Sequence, residues 1–117
     1  MGLIVNTLEI EGDGKIAFMH VDEEMYKSTD TGKEHTEGAV NIARSIIGVE
    51  VAAFFKQSGD NGKTGWKVSL RSKDYVDVSK IAKNFGGGGH HKASGCMIDG
   101  SLEEAKSKLY SHLIDSI

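Results

Sequence analysis

Four consecutive glycines, residues 86–89 within FGGGGHHKASG (85–95), constrain this chain more than any other feature. Glycine loses more conformational freedom on folding than any other residue, so four in a row need a reason. Val78, Ile81, Ala82 and Phe85 recur at helical spacing just before them, which makes Gly86 a natural left-handed cap. A cap accounts for one glycine and not for four. A P-loop fails, because Lys92 follows His91 rather than glycine and precedes Ala93. A dinucleotide fingerprint fails too, because position 91 is histidine and no helix follows. Two readings stay open. In one, the bare backbone of Gly87, Gly88 and Gly89 turns its amides toward a ligand, a phosphate or a base edge, with His90 as a side-chain donor to a phosphate oxygen. In the other, the glycines serve only close packing, as in a structural or dimerisation domain.

Charge supports an anionic ligand bound at one place. Residues 63–92 carry Lys63, Lys67, Arg71, Lys73, Lys80, Lys83 and Lys92 against Asp74 and Asp77, on a chain of net charge −3. Such a local excess suits an anionic ligand bound at one place rather than a general nucleic-acid coat. The plainer alternative is that these lysines are solvated on separate faces. Zinc at His90 and His91 is disfavoured, since only Cys96 lies near to complete three or four ligands. Cys96 is the single cysteine, so no internal disulfide forms, which suits a reducing cytoplasm. No apolar run approaches the ~20 residues of a membrane helix, and no secretory signal pattern is seen at the N-terminus.

The pattern along the chain predicts one compact α/β domain of 117 residues, a mixed sheet of about five strands flanked by helices. Residues 8–11 and 15–21 read as a hairpin about Gly12-Asp13-Gly14. Residues 22–27 read as a short helix, and 37–47 as a longer one stopped by Gly48. VEVAAFFK (49–56) reads as a strand buried on both faces, and residues 58–63 as a turn. WKVSLRS (66–72) alternates, with Trp66, Val68 and Leu70 opposite Lys67, Ser69 and Arg71, so Trp66 is expected to pack. The glycines are expected to be a loop. Residues 96–98 form a last strand, and Ser101 with Glu104 forms a capping box at the head of a closing helix.

GGGGHHKASG resembles the Gly-Gly-Gly-His-x-x-Ala-[Ala/Ser]-Gly signature of the DHHA1 domain, the C-terminal domain of DHH-family phosphoesterases. EGAVNIARSIIGVEVAAFF (37–55), KVSLRS (67–72) and VDVSKIA (76–82) are similar to the branch of oligoribonucleases and phosphoadenosine phosphatases. The likeness spans nearly the whole chain, most faintly over residues 1–14.

The resemblance implies one half of a two-domain hydrolase. The other half would carry Asp-His-His and a two-manganese site. This chain has no Asp-His-His, so the catalytic DHH domain is expected to be absent from it, and these 117 residues alone are expected to hydrolyse nothing and to bind no cofactor. The expected partners are the DHH domain and a short single-stranded RNA or nucleotide, namely nanoRNA, 3′-phosphoadenosine 5′-phosphate or a cyclic dinucleotide. A second copy of the chain is a further candidate. Carried over by position, Gly87, Gly88 and Gly89 offer backbone contact and His90 meets a phosphate. Arg71 forks onto a phosphate or stacks on a base, Ser72 is a second donor, and Lys92 steers the anion. Asn41 and Arg44 match the family's helix, with packing or domain contact as their role. A tRNA-binding module like the C-terminal domain of alanyl-tRNA synthetase is the rival within the same resemblance.

Overall fold

A computed structural model describes residues 7–22, 42, 43, 45, 46, 48–58 and 65–117. All but the first residue of the expected helix over 22–27, most of that over 37–47, nearly all of the turn over 58–63, and both Asn41 and Arg44 lie outside the described residues.

Among the described residues six strands form one sheet in the order β1-β2-β3-β4-β6-β5. They are β1 (Glu9–Glu11), β2 (Ile16–Val21), β3 (Val51–Ser58), β4 (Gly65–Ser72), β5 (Gly88–His90) and β6 (Ala93–Asp99). Among the described residues two helices are complete, α1 (Val78–Lys83) and α2 (Leu102–Leu113), and Ile42, Ala43 and Ser45 are helical as well. Only β2 and β3 run parallel; the other neighbours are antiparallel. The hairpin, the doubly buried strand and the alternating strand occur as expected. The sixth strand is the surprise. The glycine segment is not a free loop: Gly88, Gly89 and His90 pair with Gly95, Ser94 and Ala93 as an edge strand.

Alternation along the strands makes two unequal faces. On one, Val68, Leu70, Phe55, Phe18, Cys96 and Ile98 meet Ile81 and Ala82 of α1 and Ala105, Leu109 and Leu113 of α2. Trp66 belongs to this core and donates its Nε1–H to the Gly100 carbonyl at 3.2 Å. The opposite face is apolar only over β2 and β3, where Ala17, Met19, Ala52 and Phe54 pack with Ala43 and Val49. Its other half, over β4, β6 and β5, carries Lys67, Ser69, Arg71, Ala93, Gly95, Met97, Gly88 and His90, none of them buried. β3 sits where both faces are covered, which is why VAAFF has no polar side.

The helix ends follow local rules. Asp77 caps α1 by accepting from the Ser79 N–H, and Lys80 and Lys83 fill its last turn, where cations suit the helix dipole. Ser101 and Glu104 form the reciprocal capping box of α2. Edge strand β1 is tied to α2 by an ion pair between Glu9 and Lys106, the latter 7 % exposed. Among the described residues no helix is long and apolar enough to cross a membrane.

Candidate functional site

The site is the half-face left uncovered. Pairing sets its rows: Ala52, Arg71, Ala93 and His90 are successive partners across β3, β4, β6 and β5. Partners in register point to the same side of a sheet, so Arg71 and His90 share the open face with only the methyl of Ala93 between them. Two strand spacings separate their backbones by ~10 Å, a gap two long side chains can close onto one anion. The next row is Phe54, Ser69, Gly95 and Gly88, and Met97 and Lys67 follow.

Each glycine of the motif has its own reason. Gly86 has φ +77°, and its N–H bonds to the Lys83 carbonyl at 3.2 Å while Gly87 N–H bonds to the Ala82 carbonyl at 2.9 Å. That pair of bonds closes α1 as a left-handed cap, as expected. Gly87 and Gly89 are packing glycines. A β-carbon on Gly87 would lie 2.1 Å from the Gly95 carbonyl oxygen, and one on Gly89 2.7 Å from the Ala93 carbonyl oxygen. Gly88 differs. Its φ lies outside the left-handed region, and a β-carbon there would meet nothing within 4 Å. By register it would project onto the open face, in line with His90. The fold gives no reason for glycine at 88.

The turn between β5 and β6 is pinned. The His91 carbonyl accepts from Val78 N–H at 2.8 Å and from the Ser72 hydroxyl at 3.4 Å, and the Lys92 carbonyl accepts from Ser72 N–H at 3.0 Å. The Ser94 hydroxyl donates to the His90 carbonyl at 2.6 Å. Ser72 is thus 1 % exposed and engaged in holding the turn rather than standing open as a donor. His90, His91 and Lys92 are exposed, and Arg71 is half-buried with one Nη1–H given to the Leu70 carbonyl at 2.9 Å. The basic stretch is divided: Lys67, Arg71 and His90 lie on the open face, Lys92 is exposed in the turn after β5, Lys73 is exposed just past β4, and Lys80 and Lys83 lie on the helix of the other layer. Lys63 lies outside the described residues.

Glu50, which sequence reasoning passed over, shapes the chain after Arg71. It is 4 % exposed, and its carboxylate accepts the N–H groups of Asp74, Tyr75 and Val76 at 2.9 to 3.1 Å. Burial alone would raise its pKa; those backbone donors outweigh it and hold the carboxyl below its ordinary value. An acidic residue in an apolar strand sequence was the available signal.

Among the described residues, no three of His, Cys, Asp and Glu gather at one point.

The chain is similar to known proteins over nearly its whole length. The family model of the DHHA1 domain matches residues 9–116. Over 111 residues the chain is 30 % identical to the bifunctional oligoribonuclease and PAP phosphatase NrnA of Thermus thermophilus, covering 93 % of this chain and 31 % of that protein. Over 39 residues it is 59 % identical to oligoribonuclease NrnB of Bacillus subtilis, covering 32 % of this chain and 10 % of the relative. The crystal structure of an exopolyphosphatase-related protein from Bacteroides fragilis superposes with a TM-score of 0.80 at 30 % identity, over 97 % of this chain and 32 % of that one. The pGpG-specific phosphodiesterase PggH of Vibrio cholerae shares the fold, with a TM-score of 0.57 at 13 % identity over 94 % of this chain and 34 % of its own. The chain thus spans about a third of NrnA and of the Bacteroides protein.

Proposed function

This chain belongs to the DHHA1 domain family, and on that footing we propose that it is the nucleotide-binding half of a DHH-type phosphoesterase acting on short oligoribonucleotides or on 3′-phosphoadenosine 5′-phosphate. Arg71 and His90 grip one phosphate from two strands, Lys92 draws the anion in, and Gly88 lets it approach the backbone of β5. Arginine suits the grip because its fork matches phosphate oxygens two at a time. The chemistry belongs to a separate DHH domain with its manganese ions, in the cytoplasm.

The observation that carries this reading is Gly88. Its neighbours Gly87 and Gly89 are glycine because β6 leaves no room; Gly88 has room and is glycine on the face of Arg71 and His90. A strand interior pays for an unneeded glycine in stability. A ligand against that backbone supplies the missing reason. The printed activities of NrnA and NrnB support the choice of substrate class.

Titration with a 5′-phosphorylated ribodinucleotide, followed by amide NMR, tests the proposal. Shifts at Gly88, Gly89 and His90 are expected, and Gly88→Ala is expected to remove them. Unmoved amides at millimolar ligand, or full binding by Gly88→Ala, would overturn it.

A further inference from the structure

We propose that the cleft between the Phe85-Gly86-Gly87 turn and Met97 is a nucleobase subsite, read through the main chain of Met97; this rests on the phosphate reading above. The cleft measures about 290 Å³ and is also bordered by Lys67 and Cys96. That is at the bottom of the ~300–1,000 Å³ range of ligand pockets, which suits one flat ring rather than a whole dinucleotide.

Its polar content comes from an interrupted sheet edge. β5 ends at Gly88, opposite Gly95, but β6 continues to Asp99. Two observations show which main-chain groups face that edge. The carbonyls of Ala93 and Gly95 point toward β5, since they lie against Gly89 and Gly87. On the other side, Ser72 N–H reaches the Lys92 carbonyl across to β4. Residues two apart in a strand present their main-chain groups to the same edge, so the N–H and C=O of Met97 point outward with those of Ala93 and Gly95. Among the described residues no strand faces them there. One donor beside one acceptor matches the edge of a nucleobase, which displays the same two functions side by side.

The walls suit a ring. Met97 is 49 % exposed, and the Phe85 ring is held edge-to-face against His112 at 5.1 Å. Gly86 and Gly87 leave the turn without side chains. Cys96, 6 % exposed with its thiol pushed up to about 11 by burial, is an apolar floor and not a nucleophile. The placement matches a nucleotide. Ser69 and Gly95 stand one row, ~7 Å, and Met97 and Lys67 two rows, ~14 Å, from the row of Arg71 and His90. A phosphate on that row puts its base over the cleft.

Parallel NMR titrations of this chain with AMP and with ribose 5-phosphate decide the matter. Both ligands are expected to move Gly88, Gly89 and His90. Only AMP is expected to move Phe85, Gly86, Gly87 and the Met97 methyl, and to shift the Met97 amide proton downfield. Met97→Ala, a change at an exposed position, is expected to weaken AMP about fivefold and leave ribose 5-phosphate unchanged. If AMP moves only the phosphate residues, or both ligands move both sets alike, the base subsite is wrong and the phosphate reading stands. If neither ligand moves anything, both fail.

Discussion

Gly87 lies against Gly95 so closely that a β-carbon on Gly87 would come within 2.1 Å of the Gly95 carbonyl oxygen. Backbone cannot yield as a flexible side chain can. Gly87→Ala is therefore expected to cost about 1–3 kcal/mol in thermal or urea unfolding, the usual price of overpacking. Gly88→Ala, one residue on, is expected to be neutral or to stabilise by up to about 1 kcal/mol, because it restricts only the unfolded chain. Loss of phosphorylated ligand by a fully stable Gly88→Ala protein would separate the two roles within one motif.

Arg71 and His90 stand in one row across Ala93, and in the proposed function they hold the same phosphate. Arg71→Lys keeps the charge but loses the fork, so binding of a phosphorylated dinucleotide is expected to weaken about tenfold, or ~1.4 kcal/mol. In a double-mutant cycle with His90→Ala, the two losses are expected to fall short of additivity by more than ~0.5 kcal/mol. Strict additivity in calorimetric titrations would mean that the two residues touch different groups.

Acid should weaken the fold in two stages. His20 has its pKa lowered from 6.5, first by burial and then by Lys106, while Asp22, Glu9 and Glu103 pull the other way. Its ring packs edge-to-face on Trp66 at 6.5 Å. The unfolded chain therefore takes up this proton first, and stability falls as pH drops below about 6.5. Glu50, with its pKa lowered from 4.5, contributes stability that is present above pH 4.5 and lost as pH falls through its folded value. Melting temperatures across pH 7 to 3 should show both slopes. His20→Phe should flatten the first. Glu50→Gln should flatten the second, at a cost of about 2 kcal/mol at neutral pH from weakened bonds to Asp74, Tyr75 and Val76.

The capping box of α2 gives a local control. Ser101 accepts the Glu104 N–H at 3.2 Å, and the Glu104 carboxylate accepts the Ser101 N–H at 3.2 Å. Ser101→Ala is expected to cost about 1 kcal/mol in unfolding experiments and nothing in ligand binding. A binding defect in that variant would show that α2 communicates with the open face.

The features legible in the sequence were those whose partners lie within a few residues. Ser101 with Glu104, Gly86 after a helical run, the alternation of β4 and the unbroken apolar run of β3 are set by helix pitch and strand pleat, both local. The family signature was legible for the same reason, being contiguous. The tertiary structure alone decided what depends on register. Gly87 and Gly88 look alike in sequence; what separates them is β6, folded back through the His91-Lys92 turn. Glu50 meets its donors 24 to 26 residues away. Ser72 appeared as an open donor until the turn closed over it, and the glycines appeared as a loop until Gly95, Ser94 and Ala93 paired with them. Shifting a strand by one residue reverses every side chain's face, so no reading of single segments could place Arg71, Gly88 and His90 on one surface.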